Sequence, residues 1–362
     1  LRNVVITGAN RGLGFAIADY MLDIGEHRVV LACRSQQEGN AALERLRANQ
    51  EQRRHRGTLP TTLLASVHPL DVSCPRSLES FRENCVNDHL GGRVDVLFNN
   101  AGVCLTEDGD NERKAHGTGA AAAAAGALRE TLAVNFFGAL AVADACMPAL
   151  MSAAATVAGA RMATTAEEST SAVMVMPLTP PTVVWISSGE GELCFLGAKW
   201  RRLLAHAENL EEIKSHMSDL LASARASEKN ASSNSNRDPA SGEEETREEE
   251  EEMAFGPTPA YSLSKAAANA AVRAWAPRLL RPPAATAPTP GSSHTGGVGG
   301  GVRLIAVCPG DVLTRMTTAE EVARGDAVSP KEAAAAVVKI AISPAQEFPA
   351  GKFYRHGQEI GW

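Results

Sequence analysis

Val4-Val5-Ile6-Thr7-Gly8-Ala9-Asn10-Arg11-Gly12-Leu13-Gly14 sets a β-branched run against three glycines, and a helical pattern follows from Gly14 to Asp23. β-Branched residues fit a pleated strand. Glycines let the chain turn sharply and let a ligand approach the backbone closely. A strand, a glycine turn and a helix N-terminus in that order can seat a pyrophosphate, whose charge lies against the unpaired N–H groups of the first helical turn. The spacing is G-x-x-x-G-x-G rather than G-x-G-x-x-G. Taken alone, an ordinary tight β–α turn would show the same glycines.

Outward from this stretch, short β-rich runs alternate with longer helical patterns. Strands are expected at Val4 to Ile6, Arg28 to Ala32, Ser66 to Leu70, Val94 to Phe98, Thr182 to Ile186, Arg303 to Val307 and Lys352 to Tyr354. Helices are expected at Gly14 to Asp23, Gln37 to Gln52, Pro75 to Asn87, Glu130 to Met151, Ala260 to Leu280 and Pro330 to Ile342. Ser329-Pro330 makes a cap followed by a proline at the first helical position. The alternation predicts an α/β fold, a doubly wound parallel sheet covered by helices.

The chain has 362 residues, 35 basic and 42 acidic, for a net charge of −7. The run Glu243 to Glu252 holds eight Glu and one Arg and accounts for all of it. The remainder is neutral, without the Lys/Arg excess that nucleic-acid binding requires. Seven cysteines, never in a C-x-x-C pair, argue against a zinc site or a disulfide framework and for a reducing compartment. The most apolar stretch, Leu132 to Met151, contains Asn135, Asp144 and Pro148 and reads as a buried helix, not a membrane span. The chain opens at Leu1 without Met, which leaves organelle targeting open. The expected compartment is the cytoplasm.

Four segments lack the apolar periodicity of a packed element: Glu107 to Gly126 with its six-alanine run, Ala153 to Pro181, Ala226 to Met253, and Arg281 to Gly301. They read as surface insertions. The acidic run reads as a solvated loop or, alternatively, a partner-docking segment.

Further motifs follow in order: Leu70-Asp71-Val72, Asn99-Asn100-Ala101-Gly102, Asn135 in V-N-F-F-G, Ser187-Ser188, Tyr261-x-x-x-Lys265, and Cys308-Pro309-Gly310 with Thr314. Each lies at the C-terminal end of an expected strand or on the helix after it, where open α/β sheets bind ligands. Together with Thr7-Gly8-x-x-x-Gly12-x-Gly14 they resemble the short-chain dehydrogenase/reductase family. Within that family the chain is most similar to the NADPH-dependent carbonyl reductases. Ser188 and Tyr261 are 73 positions apart, with a helix-like pattern from Asn209 to Leu221 that resembles the insertion of those enzymes. The ending Ser329 to Glu332, Gly351 to Tyr354 and Trp362 is also similar. The Gly189-Glu190-Gly191-Glu192 stretch, the acidic run and the Ala-rich segments depart from the pattern.

The resemblance implies one Rossmann-type domain over residues 1–362, with insertions near 107–126, 153–181, 199–256 and 281–301. It implies reduction of an aldehyde, ketone or quinone. Tyr261 would donate the proton, with Lys265 on the same helix face favouring its phenolate. Ser188 would hydrogen-bond the substrate oxygen, and Asn135 would hold a water linking Lys265 to solvent. Lys265 would also bond the ribose of the nicotinamide half.

Gly8, Asn10, Arg11, Gly12, Leu13 and Gly14 would carry the pyrophosphate loop, and Asp71 and Val72 would flank the adenine. Asn100 and Ala101 would line the adenosine ribose side, and Gly102 and Tyr261 would also contact the cofactor. Pro309, Gly310, Val312 and Thr314 would hold the nicotinamide amide. The second strand ends Leu31-Ala32-Cys33-Arg34-Ser35, without the acid that would repel a 2′-phosphate. Arg34 and Arg11 can bind that phosphate, so the expected cofactor is NADP(H). No metal is expected. The similarity of Asn209 to Leu221 to the carbonyl reductase insertion implies a monomer. Two other readings stay open: a dehydrogenase of a specific hydroxy-steroid, retinoid or other alcohol, and a non-catalytic NADP(H)-binding interaction protein.

Overall fold

The β-branched run forms the first strand, β1 (Arg2–Thr7), and Gly12 begins the first helix, α1 (Gly12–Asp23). The computed structural model describes residues 1–25, 27–55, 64–105, 120–166, 179–233, 258–280, 301–314, 317 and 327–362. Then come β2 (His27–Cys33), α2 (Gln36–His55), β3 (Ala65–Pro69) and α3 (Pro75–Phe81), which widens into a π-helical stretch over Arg82–His89. After β4 (Val96–Asn99), α4 (Ala120–Leu132) and α5 (Ala139–Ala166) are joined by a π-helical turn, Ala133–Gly138. The remaining elements are β5 (Thr182–Ile186), α6 (Ala198–His206), α7 (Leu210–Ser233), α8 (Pro259–Leu279), β6 (Arg303–Cys308), α9 (Pro330–Ile342), β7 (Phe353–Arg355) and β8 (Gln358–Glu359).

The strands form one sheet in the order β3-β2-β1-β4-β5-β6-β7-β8. All neighbours are parallel except the final β7–β8 pair. The expected doubly wound sheet is therefore present. Alternate residues of β1 serve its two faces: Val4 and Ile6 join the core with α1, α2 and α9, while Val5 joins the core with α3, α5 and α8. The strand order reverses between β1 and β4, which opens a crevice above their C-terminal ends. The glycine turn and Asn100 both lie there.

The alanine-rich segments differ from the loops read in the sequence. Ala120 to Gly126 is helical within α4, and Ala153 to Ala166 continues α5. Alanine is the best helix former, so these runs extend a packed helix without any apolar periodicity. Likewise Ala226 to Ser233 belongs to α7. The rest of those segments, residues 107–119, 167–178, 234–257 and 281–300, lies outside the described residues, and so does the acidic run 243–252.

Residues Ala123–Gly159 are long and apolar enough to cross a bilayer by length and composition. Their apolarity has a use inside the fold, because Leu132, Phe136, Val142, Cys146 and Leu150 are fully buried in the core. Helix α7 lays Leu210, Ile213 and Met217 against α4 and α8, the helical pattern expected for Asn209 to Leu221. Arg273 of α8 braces this insertion by donating to the carbonyls of Leu204, Ala205 and Ala207 at the end of α6. At the C-terminal side, Ser329 caps α9 in a reciprocal pair with Glu332, and Pro330 occupies the first turn.

Candidate active site

The glycine turn is locked to the end of β4 by one hydroxyl. Thr7 Oγ1 accepts the backbone N–H groups of Asn100 and Ala101, each at 2.9 Å, and Asn100 Nδ2 donates to Thr7 O at 2.8 Å. Gly8 and Gly12 have φ of 64° and 57°, the left-handed region that glycine adopts without strain. Gly14 is needed for another reason. A Cβ there would lie 2.5 Å from Asn100 Nδ2 and 2.6 Å from Gly8 O. A Cβ on Gly12 would meet Thr314 Cγ2 at 3.6 Å, which places the β6 loop against the same turn. This cradle of bare backbone at the start of α1 fits a pyrophosphate.

Beside the cradle, three elements converge. Lys265 and Tyr261 share one face of α8, with Lys265 Nζ 5.3 Å from the centre of the Tyr261 ring. Ser188, at the end of β5, hydrogen-bonds the Tyr261 phenol. Asn135 sits in the π-helical turn, buried, and clamps the β4 loop: its Oδ1 accepts Val103 N–H and its Nδ2 donates to Val103 O, both at 2.8 Å. The same amide donates to Ser264 Oγ of α8 at 3.0 Å. Gly102 completes the group, since a Cβ there would come within 3.2 Å of Asn135 Oδ1 and 3.6 Å of Lys265 Nζ.

Burial governs the proton affinities. Tyr261 keeps some exposed surface, but its phenol end lies deep among Ser188, Cys104, Glu190 and Cys308. Desolvation pushes its pKa well above the ordinary phenol value, and the Ser188 hydrogen bond opposes that rise. Burial also lowers Lys265 to about 8. The lowering of the phenol pKa by Lys265 expected from the spacing does not occur: desolvation raises it, and the opposing contribution comes from Ser188. Among the described residues the Lys265 ammonium has one hydrogen-bond acceptor, Ile186 O at 2.8 Å. An ammonium has three donors, so a buried cation with two left over fits the hydroxyls of a bound ribose.

The chain is similar to known proteins in sequence and in fold. Residues 2–166 match the family model of short chain dehydrogenases. The (+)-neomenthol dehydrogenase of Arabidopsis thaliana is 27% identical over 370 residues, 99% of this chain and 97% of that protein. The NADPH carbonyl reductase 1 of Mus musculus is 33% identical over 106 residues, 29% of this chain and 33% of that protein. The structure of salutaridine reductase from Papaver somniferum superposes with a TM-score of 0.61 at 22% identity, covering 98% of this chain and 99% of that one.

Over residues 2–166 the chain belongs to the short-chain dehydrogenase/reductase family. It has the Rossmann fold of that family, an oxidoreductase family that uses a nicotinamide cofactor. The family's motif positions fall around the crevice in different ways. Gly8, Gly12, Leu13 and Gly14 shape the cradle. Asn10 is occupied by protein, with its Nδ2 donating to Glu38 Oε2 at 2.8 Å and its carbonyl accepting from Arg45 at 2.6 Å. Arg11 and Arg34 are exposed. Asp71 Oδ1 accepts from both the backbone and the hydroxyl of Ser73, at 2.9 and 2.7 Å. Val72 packs beneath the π-helical turn, where a Cβ on Gly138 would strike it. Asn100 faces the glycine turn with its amide spent on Thr7 O. Pro309 and Gly310 follow β6, and Val312 pairs with Val328. Thr314 accepts support from Thr317, whose Oγ1 receives the Thr314 N–H at 2.9 Å.

Two features escaped the sequence reading. Arg45 of α2 stacks over the Phe15 ring at 4.2 Å while holding the Asn10 carbonyl, so it braces the glycine turn from outside. Glu190, noted in the sequence as a departure beside Ser188, accepts from Thr258 and Ser262 at the start of α8. Both act across long sequence separations, and no local spacing marks them. Among the described residues no group of three or more His, Cys, Asp or Glu could hold a metal ion.

Proposed function

We propose that the chain reduces an aldehyde, ketone or quinone with NADPH, Tyr261 being the proton donor. The observation that carries this reading is the pairing of a deeply set, protonated phenol with Ser188 and a buried Lys265. Bound in the crevice, the cofactor would supply the hydride. A carbonyl oxygen lying between Ser188 Oγ and Tyr261 Oη would receive two hydrogen bonds as negative charge develops on it. Burial keeps the phenol in its proton-bearing form through neutral pH, the form that reduction requires. Lys265, charged below about pH 8, stabilises the tyrosinate left after proton transfer. Asn135 holds the β4 loop and α8 in register through Val103 and Ser264. The water relay expected for Asn135 is proposed with this reading.

The preference for NADPH rests on charge. Among the described residues neither Arg11 nor Arg34 has an ion-pair partner, and β2 ends without an acid. Glu38 lies nearby but engages the Asn10 amide. Replacing Arg34 by Asp is expected to move the cofactor preference toward NADH, read as the ratio of kcat/KM for the two cofactors. An unmoved ratio removes Arg34 from 2′-phosphate recognition.

The full-length similarity to a neomenthol dehydrogenase favours cyclic alcohol–ketone pairs as a second substrate class. Spectrophotometric NADPH consumption against quinones, aromatic aldehydes and cyclic ketones is expected to show turnover with at least one class. No consumption with any class defeats the reductase reading. One domain over residues 1–362, a monomer and a cytoplasmic location belong to the same proposal. The monomer is supported by α7, which covers α4 and α8, and the compartment by seven free cysteines.

A further inference from the structure

The segment Gly189 to Glu192, which departs from the family pattern, is tied to α8 at two heights. At the lower point Glu190 Oε2 accepts the hydroxyls of Thr258 and Ser262, the latter at 2.6 Å. Thr258 is the residue that precedes the first turn of α8, and Ser262 directly follows Tyr261. Two turns further along, Asn269 Nδ2 donates to Gly191 O at 3.0 Å. A Cβ on Gly191 would lie 2.9 Å from Asn269 Nδ2 and from the Lys265 carbonyl carbon, so the loop lies directly on the helix that carries Tyr261 and Lys265. The Glu190 backbone N–H also donates to Ser188 Oγ at 3.3 Å. One residue thus holds the Ser188 hydroxyl with its backbone and the start of the Tyr261 helix with its side chain.

We propose that Glu190 is a positioning residue, which sets the Ser188–Tyr261 separation by clamping the β5 loop onto the first turn of α8. The carboxylate suits this place, because anions are favoured at a helix N-terminus. It reaches neither the Tyr261 phenol by a hydrogen bond nor the cofactor cradle, so it acts through its two neighbours. The clamp needs an acceptor for two hydroxyls, which a glutamine oxygen also provides. A free charge is not required.

This inference rests on the reading of Ser188 and Tyr261 as the pair that binds the substrate oxygen, and its test separates the two. Steady-state kinetics with NADPH and the best carbonyl substrate would compare wild type, Glu190→Ala, Glu190→Gln and the double variant Thr258→Val/Ser262→Ala, with Tyr261→Phe alongside. A misplacement of about 1 Å in a catalytic geometry costs on the order of 10²-fold. The Ala variant and the double variant are therefore expected to lose roughly 10- to 100-fold in kcat with the KM for NADPH unchanged. Gln is expected to restore kcat to near wild type.

Full kcat in Glu190→Ala, or in the double variant should Glu190→Ala fail to fold, overturns the clamp. Equal losses in the Gln and Ala variants also overturn it, since they would show that charge and not hydrogen bonding matters. A loss in Tyr261→Phe beside an active Glu190→Ala defeats only the positioning role. Full activity in Tyr261→Phe removes the underlying reading and the clamp's purpose with it.

Discussion

Tyr261→Phe is expected to lower kcat for carbonyl reduction by about 10²–10⁴-fold, the usual contribution of a general acid, with the KM for NADPH nearly unchanged. The substitution deletes one oxygen and leaves the ring. The packing of Lys265 Nζ against that ring, 5.3 Å from its centre, survives. So does the Lys265 bond to Ile186 O. The lost group is the proton donor. Ser188 keeps the N–H of Glu190 as a donor and can still offer its hydroxyl to a substrate oxygen, but no second donor remains to neutralise the developing alkoxide. Turnover by Tyr261→Phe equal to wild type in steady-state assays would exclude Tyr261 from the chemistry.

Much of this arrangement is written locally in the chain. The β1 run, the three glycines and the helix behind them are contiguous, so strand, turn and helix could be read from residue type alone. Tyr261 and Lys265 share a helix face because they are four apart. Asn135 was legible as a polar residue in an apolar helix, but its π-helical setting was not. The extra backbone of that turn is recognisable only from hydrogen bonding, and the side chain is committed to Val103 and Ser264.

The misread pieces have physical causes of two kinds. Ala120 to Gly126 and Ala153 to Ala166 carry little amphipathic signal in their sequence, and the helix propensity of alanine, with Ala153, Ala154 and Val157 packed inward, extends α4 and α5 through them. The bond from Asn100 to Thr7 O, which locks the glycine loop, spans 93 positions and could not be read from the Asn100 motif. Glu190 binds residues 68 and 72 positions away, and a pairing at that distance leaves no trace in local pattern. Strand β8 is two residues long, too short to show any alternation.

Lys265→Met separates catalysis from stability. Activity is expected to fall by about 10²-fold or more, within the range for loss of a group that serves proton transfer. The fold should not suffer in proportion. Lys265 is 4% exposed, and burial lowers its pKa from 10.5 to about 8. That displacement corresponds to roughly 3 kcal/mol against the ammonium. Between pH 8 and 10.5 the unfolded chain holds a proton that the folded chain has released. Stability contributed by this residue therefore rises with pH across that window, and the penalty is at full size below it. Methionine removes the penalty and fills similar space. Against this stands the Ile186 carbonyl, left without its lysine at a cost of about 1–3 kcal/mol.

The two effects nearly cancel, so urea unfolding of the cofactor-free chain at pH 7 should show the Met variant as stable as wild type or slightly more so. At pH 10 the ordering should shift toward wild type, because the neutral amine no longer carries the penalty that methionine relieves. Comparing the two proteins at each pH removes the titration of the shared cysteines and tyrosines. A Met variant destabilised by several kcal/mol at pH 7, or a wild-type advantage that does not grow between pH 7 and pH 10, would show that the lysine is not held in the fold at the expense of its charge.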